Sequence, residues 1–132
     1  MPNPRYLTSD GEPTVELLKK LSLAKDVYFR NLESFCSKHG VEADSFRDIH
    51  NVFLIGSHAQ DTGWNNNSSD LDLKIVNPLA IPEYLWKYKK EILDPTLCAG
   101  KKKRWIDLFF AREEYQVLLP RWELVNYWNK DI

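Results

Sequence analysis

Apolar positions recur along this chain with two different periods, and the change from one to the other marks its elements. Leu17, Leu21, Tyr28, Leu32 and Phe35 return near the helical spacing, and Leu18 and Phe29 widen the stripe. Pro13 suits the first helical turn, where its missing N–H costs nothing. This predicts a long amphipathic helix, broken near Ser22 and capped by Gly40. A connector over 44–50 leads to an apolar strand over 52–55. A second strand, over 70–76, alternates Asp70, Asp72 and Lys74 with Leu71, Leu73 and Ile75. Ile81, Leu85, Tyr88 and Ile92 mark a second helix opened by Pro82, and Asp94-Pro95 and Gly100 bound the loop after it. The third strand, over 105–111, sets Ile106, Leu108 and Phe110 against Trp105, Asp107 and Phe109. Residues 113–129 read as mostly helical with a break at Pro120, burying Leu118, Trp122, Val125 and Trp128.

These elements predict an α/β (α+β) domain: a short mixed sheet with carboxylates on one face and helices packed on the other. Residues 1–13, with three prolines, read as an N-terminal arm, and 14–132 as one domain with its motif core at 52–111. An apolar fraction of 43% in 132 residues is enough for a core. The net charge of −1 provides no global attraction to nucleic acid or to an anionic membrane. Cys36 and Cys98 make no disulfide framework, and with the three histidines they show no zinc spacing. The Met-Pro-Asn-Pro-Arg start lacks an apolar leader, and no apolar run reaches membrane-spanning length, so the expected location is cytoplasmic, without a membrane partner.

The chemistry concentrates between Val52 and Ala111. Side chains two apart on a strand share a face, about 6.5–7 Å apart along the chain, so Asp70 and Asp72 converge. Asp107, a lone carboxylate inside Trp-Ile-Asp-Leu-Phe-Phe, is the natural third member. At about 5 Å and an effective dielectric near 20, each like-charge pair costs roughly 3 kcal/mol. A divalent cation removes that cost, and Mg²⁺ takes one or two carboxylates, waters and substrate phosphates. Two ions bridged by Asp70 and Asp72, one of them also held by Asp107, form a clamp suited to in-line phosphoryl displacement. Gly56 lets the backbone approach closely, and Ser57 offers a hydroxyl and an N–H to a triphosphate at a helix N-terminus.

Leu54-Ile-Gly56-Ser57, a spacer, and then Ser69-Asp70-Leu71-Asp72-Leu73 resembles the signature of the DNA polymerase β-like nucleotidyltransferase superfamily. Ile106-Asp107-Leu108 resembles its third carboxylate strand. The resemblance implies transfer of a nucleoside monophosphate from ATP or another NTP to an acceptor hydroxyl, with Mg²⁺ and release of pyrophosphate. It makes Asp70, Asp72 and Asp107 the catalytic, metal-binding residues. Gly56, Ser57, Asp70 and Asp72 become the nucleotide-binding ones. At this length the chain is similar to the minimal nucleotidyltransferases, many of them antitoxins that adenylylate a tyrosine of a HEPN-type toxin. Gln60 and Asp61 stand where many minimal members carry Arg-Gly, which leaves Lys74 or the 101–104 run to supply a cation to the triphosphate.

An adenylyltransferase acting on a protein partner is thus the leading expectation. Its rivals are an enzyme for a small-molecule (antibiotic-type) hydroxyl or an RNA 3′ end, and a catalytically silent binding antitoxin. Nucleic acid is not favoured, because the 101–104 run reads better as a solvated hairpin than as an RNA patch. His58 reads as an exposed loop residue, and the asparagine-rich stretch at 65–67 as a flexible loop. Trp64 is the tryptophan best placed to touch a substrate or partner.

Overall fold

The computed structural model describes residues 2–60, 70–98 and 105–130. Trp64, the 65–67 stretch and the 101–104 run lie outside the described residues. The predicted leading helix forms as two: α1 (Val15–Arg30) and α2 (Leu32–His39). The Thr14 hydroxyl caps α1 by accepting from the Leu17 amide, at 3.3 Å. The break falls at Asn31 and not near Ser22, because Ser22 lies in an unbroken run between buried Leu21 and Ala24. Gly40 ends α2 with φ 67°, the left-handed cap that its lack of Cβ allows. The connector after it contains a further short helix, α3 (Ala43–Arg47), whose Phe46 is buried.

Three strands follow the sequence pattern closely: β1 (Asn51–Ile55), β2 (Leu71–Val76) and β3 (Ile106–Ala111). A fourth, β4 (Trp122–Glu123), completes a mixed sheet of order β3-β2-β1-β4, in which only β2 and β3 run parallel. A parallel pair needs a long crossover, and a helical segment over 82–97 provides it. That segment comprises α4 (Pro82–Tyr88), a wide π turn (Lys89–Leu93) and α5 (Asp94–Leu97). The helix therefore runs through Asp94-Pro95, where a loop is predicted. In the π turn the Asp94 amide reaches back five residues to the Lys89 carbonyl, just before Pro95, which has no amide to give.

Strand alternation sorts the sheet into two faces. Val52, Leu54, Leu71, Leu73, Ile75, Ile106 and Leu108 are buried beneath the helices in the main core. Phe53, Val76, Ala111 and Val117 form a smaller cluster on the opposite face. The proline-rich lead-in packs down: Tyr6 and Leu7 belong to the main core, and Leu7 bridges to Pro13.

The C-terminal part differs most from expectation. In place of a mostly helical stretch there are one 3₁₀ turn (Glu114–Gln116), β4 and a single-turn helix, α6 (Val125–Trp128). Trp128 is buried as expected, whereas Trp122 and Val125 are only partly so. Leu118 is 81% exposed and Ile81 is also exposed, because neither lies on an element that turns it inward. Among the described residues no helix is long and apolar enough to cross a membrane.

Candidate metal and phosphate site

The parallel register pairs Asp72 directly with Asp107, while Leu71 and Leu73 pair with Ile106 and Leu108 in the core. Burying the leucines thus turns both carboxylates onto the open face as neighbours. Asp70 lies just before β2 and joins them: ligand oxygens of Asp70, Asp72 and Asp107 all fall within 4.8 Å of one another. The sequence-predicted carboxylates therefore do converge.

The Gly-Ser turn arrives through β1. Ile55 pairs with Asp72, so the next residue, Gly56, comes against that carboxylate. Gly56 has φ 73° and ψ −157°, a conformation almost restricted to glycine. A Cβ there would stand 2.5 Å from Asp72 Oδ2. Ser57 then opens a 3₁₀ turn (Ser57–Ala59), with Ala59 N–H donating to the Gly56 carbonyl at 3.1 Å. This is one turn, shorter than the helix expected after the motif, because Gln60 already returns to extended backbone.

His58 is 1% exposed, not a loop residue in solvent. The Asn3 side-chain amide donates to its Nδ1 at 2.9 Å, the Asn3 backbone amide donates to its carbonyl at 3.1 Å, and Tyr6 meets its ring edge-on. These partners lie more than 50 residues away in the chain, out of reach of local pattern reading.

The electrostatics describe a site short of positive charge. Burial, then Asp107 and Asp70, push the Asp72 carboxyl up to about 6, against a smaller lowering by Lys89. Burial and then Asp107 raise Asp70 as well, and His58 opposes the shift. Hard carboxylate oxygens gathered this closely and resisting ionisation are the donor set that a divalent cation such as Mg²⁺ or Mn²⁺ satisfies.

Lys89 is the residue that sequence reasoning missed. It opens the π turn, is 5% exposed, and its ammonium contacts Asp107 and binds Asp94 at 3.1 Å. Burial works against its charge, but the hydrogen bonds to Asp107 and Asp94 outweigh it and raise its pKa. The available signal was its place between Leu85 and Leu93, four residues from each, on the buried stripe of the helix. Asp94, Cys98 and Asp107 form a second close group that shares Asp107 with the first. Its thiol donates to the Ile106 carbonyl at 3.2 Å, and burial with Asp107 and Asp94 pushes it up to about 11, which keeps it protonated at neutral pH.

One step along the sheet, Lys74 pairs with Phe53 on β1 and Phe109 on β3. The Arg121 guanidinium lies 4.6 Å from the Phe53 ring centre, and the Lys89 ammonium lies 4.6 Å from that of Phe109. Lys74 lines two grooves. One of about 220 Å³ includes Trp86, Lys89 and Phe109, and one of about 320 Å³ includes Gly56, Gln60, Leu118 and Leu119. A groove of about 450 Å³ between α1 and α6 is lined by none of Asp70, Asp72 and Asp107.

No protein-family model matches the chain, and neither a curated protein nor a solved structure matches it.

Proposed function

We propose that this chain is a divalent-metal-dependent nucleotidyltransferase of the polymerase β-like kind. It moves a nucleoside monophosphate, AMP in the leading reading, from an NTP to an acceptor hydroxyl. The observation that carries this reading is the meeting of Asp70, Asp72 and Asp107 within 4.8 Å beside the Gly56-Ser57 turn. Asp70 and Asp72 are the residues to hold Mg²⁺, which when bound supplies charge neutralisation and Lewis acidity at the phosphates.

The rest is work for the chain's own groups. The turn at Gly56 and Ser57 offers backbone N–H groups and a hydroxyl to phosphate oxygens, and Lys74 adds a cation on the same sheet face as Asp72. Asp107 receives the proton of the acceptor hydroxyl as its oxygen forms a bond to the α-phosphorus. The bond from the α-phosphorus to the oxygen bridging to the β-phosphate breaks, and pyrophosphate leaves with that electron pair. Leu118 and Leu119, both about four-fifths exposed, stand at the rim of the groove beside Gly56 and favour a protein acceptor over a small polar one. A HEPN-type toxin presenting a tyrosine hydroxyl fits that description.

The test is transfer from ATP labelled at the α-phosphate, with a cell extract as the source of acceptor. The wild-type chain should label a protein band. D70N/D72N should lose at least about a thousandfold of that transfer while retaining its circular dichroism spectrum. Labelling that persists in the folded double variant removes the reading. Undiminished neutralisation of a co-purified toxin by that variant would support the silent-binding alternative.

A further inference from the structure

We infer that Lys89 is a positioning residue that fills the place of a second divalent ion, so the centre holds one metal where the sequence pattern alone suggests two. The inference rests on the metal-centre reading above and deepens it. A two-ion clamp would require Asp107 to hold one of the ions together with Asp70 and Asp72. Here the Lys89 ammonium contacts Asp107 already, and Asp94 also binds it, at 3.1 Å. A divalent ion added at Asp107 would stand close to a fixed, buried positive charge, and the two would repel strongly.

The setting of Lys89 argues against an incidental surface ion pair. It interrupts the apolar Leu85–Leu93 stripe, where a methionine or leucine would pack without desolvating a charge. The π turn begins at this residue, and wide turns of this kind are enriched at functional sites. Asp107 belongs to both close groups of ligand atoms, one with Asp70 and Asp72 and the other with Asp94 and Cys98. In this arrangement Lys89 holds Asp107 in one orientation beside Asp72.

Electron paramagnetic resonance of Mn²⁺, with and without the unreactive α,β-methylene analogue of ATP, tests the inference. The wild-type chain should bind one Mn²⁺ with an uncoupled spectrum. K89M should admit a second ion, with at least tenfold tighter binding at that position and an exchange-coupled spectrum. K89R should restore the single uncoupled ion. K89M/D94N, which also removes the Asp94 charge that K89M leaves to Lys90 alone, repeats the measurement should K89M fold poorly. A coupled pair in the wild type, or a single ion in both K89M and K89M/D94N, overturns the role of Lys89 and leaves the transferase reading standing. Absence of any Mn²⁺ from the wild type overturns both.

Discussion

Asp72 meets three influences at once: it faces Asp107 across the parallel pair, has Asp70 beside it, and fills the space that Gly56 leaves open. Its carboxyl, pushed up to about 6 from an ordinary value near 3.8, binds its proton more tightly in the folded chain than in the unfolded one. The sign follows directly: this contribution is fully present below about pH 4 and is lost as pH rises through about 6. In chelator, urea midpoints of the wild type should therefore fall between pH 4 and 6 relative to D72N. The difference should be on the order of 1–2 kcal/mol after solvent screening. A wild-type profile parallel to that of D72N would show that the shift is absent. Convergence of the carboxylates was legible from strand alternation alone, since burying Leu71 and Ile106 leaves Asp72 and Asp107 no other face. The closeness of Gly56 to Asp72 was not, because it depends on Ile55 pairing with Asp72 and hence on the β1–β2 register.

At the scale of elements, Asn77 joins pieces that the pattern describes only separately. It is fully buried where β2 ends, and its side-chain amide donates to the Ser45 and Phe46 carbonyls at 3.0 and 3.3 Å. Its Oδ1 accepts from the amides of Leu79 and Ala80, at 3.1 and 2.9 Å, in the turn that leads to α4. N77A removes all four bonds and leaves the Leu79 and Ala80 amides without this acceptor, while the Phe46 carbonyl keeps the Tyr28 hydroxyl, and it should cost about 2–4 kcal/mol in chemical denaturation. A loss under about 0.5 kcal/mol would mean that water replaces the amide. Helices and strands with strong periodicity were readable, down to the Pro82 start of α4 and the Gly40 end of α2. The segment after Ala111 was not, because β4 has two residues and exists only by pairing with β1, some 70 positions earlier. Lys89 escaped for a related reason: a charge on an apolar stripe reads as an interruption until Asp94 and Asp107 are seen around it.

At the scale of the whole molecule, the first residues are part of the body. Leu7 is 1% exposed within the main core, and Asn3 holds the backbone and ring of His58, one residue past Ser57. Leu7→Ala should cost about 2–4 kcal/mol, the range for a buried leucine and not for a solvated arm. A melting curve unchanged from the wild type would count against the packing described. The row Phe53, Lys74, Phe109 runs across the sheet beside the carboxylates, and both of its rings carry a cation, Arg121 on one and Lys89 on the other. A purine or pyrimidine seeking to stack there must first displace a charge that also serves a carbonyl or a carboxylate. If the proposed transferase reading holds, nucleobase identity is weakly read on this face, and recognition falls to the phosphate end of the nucleotide.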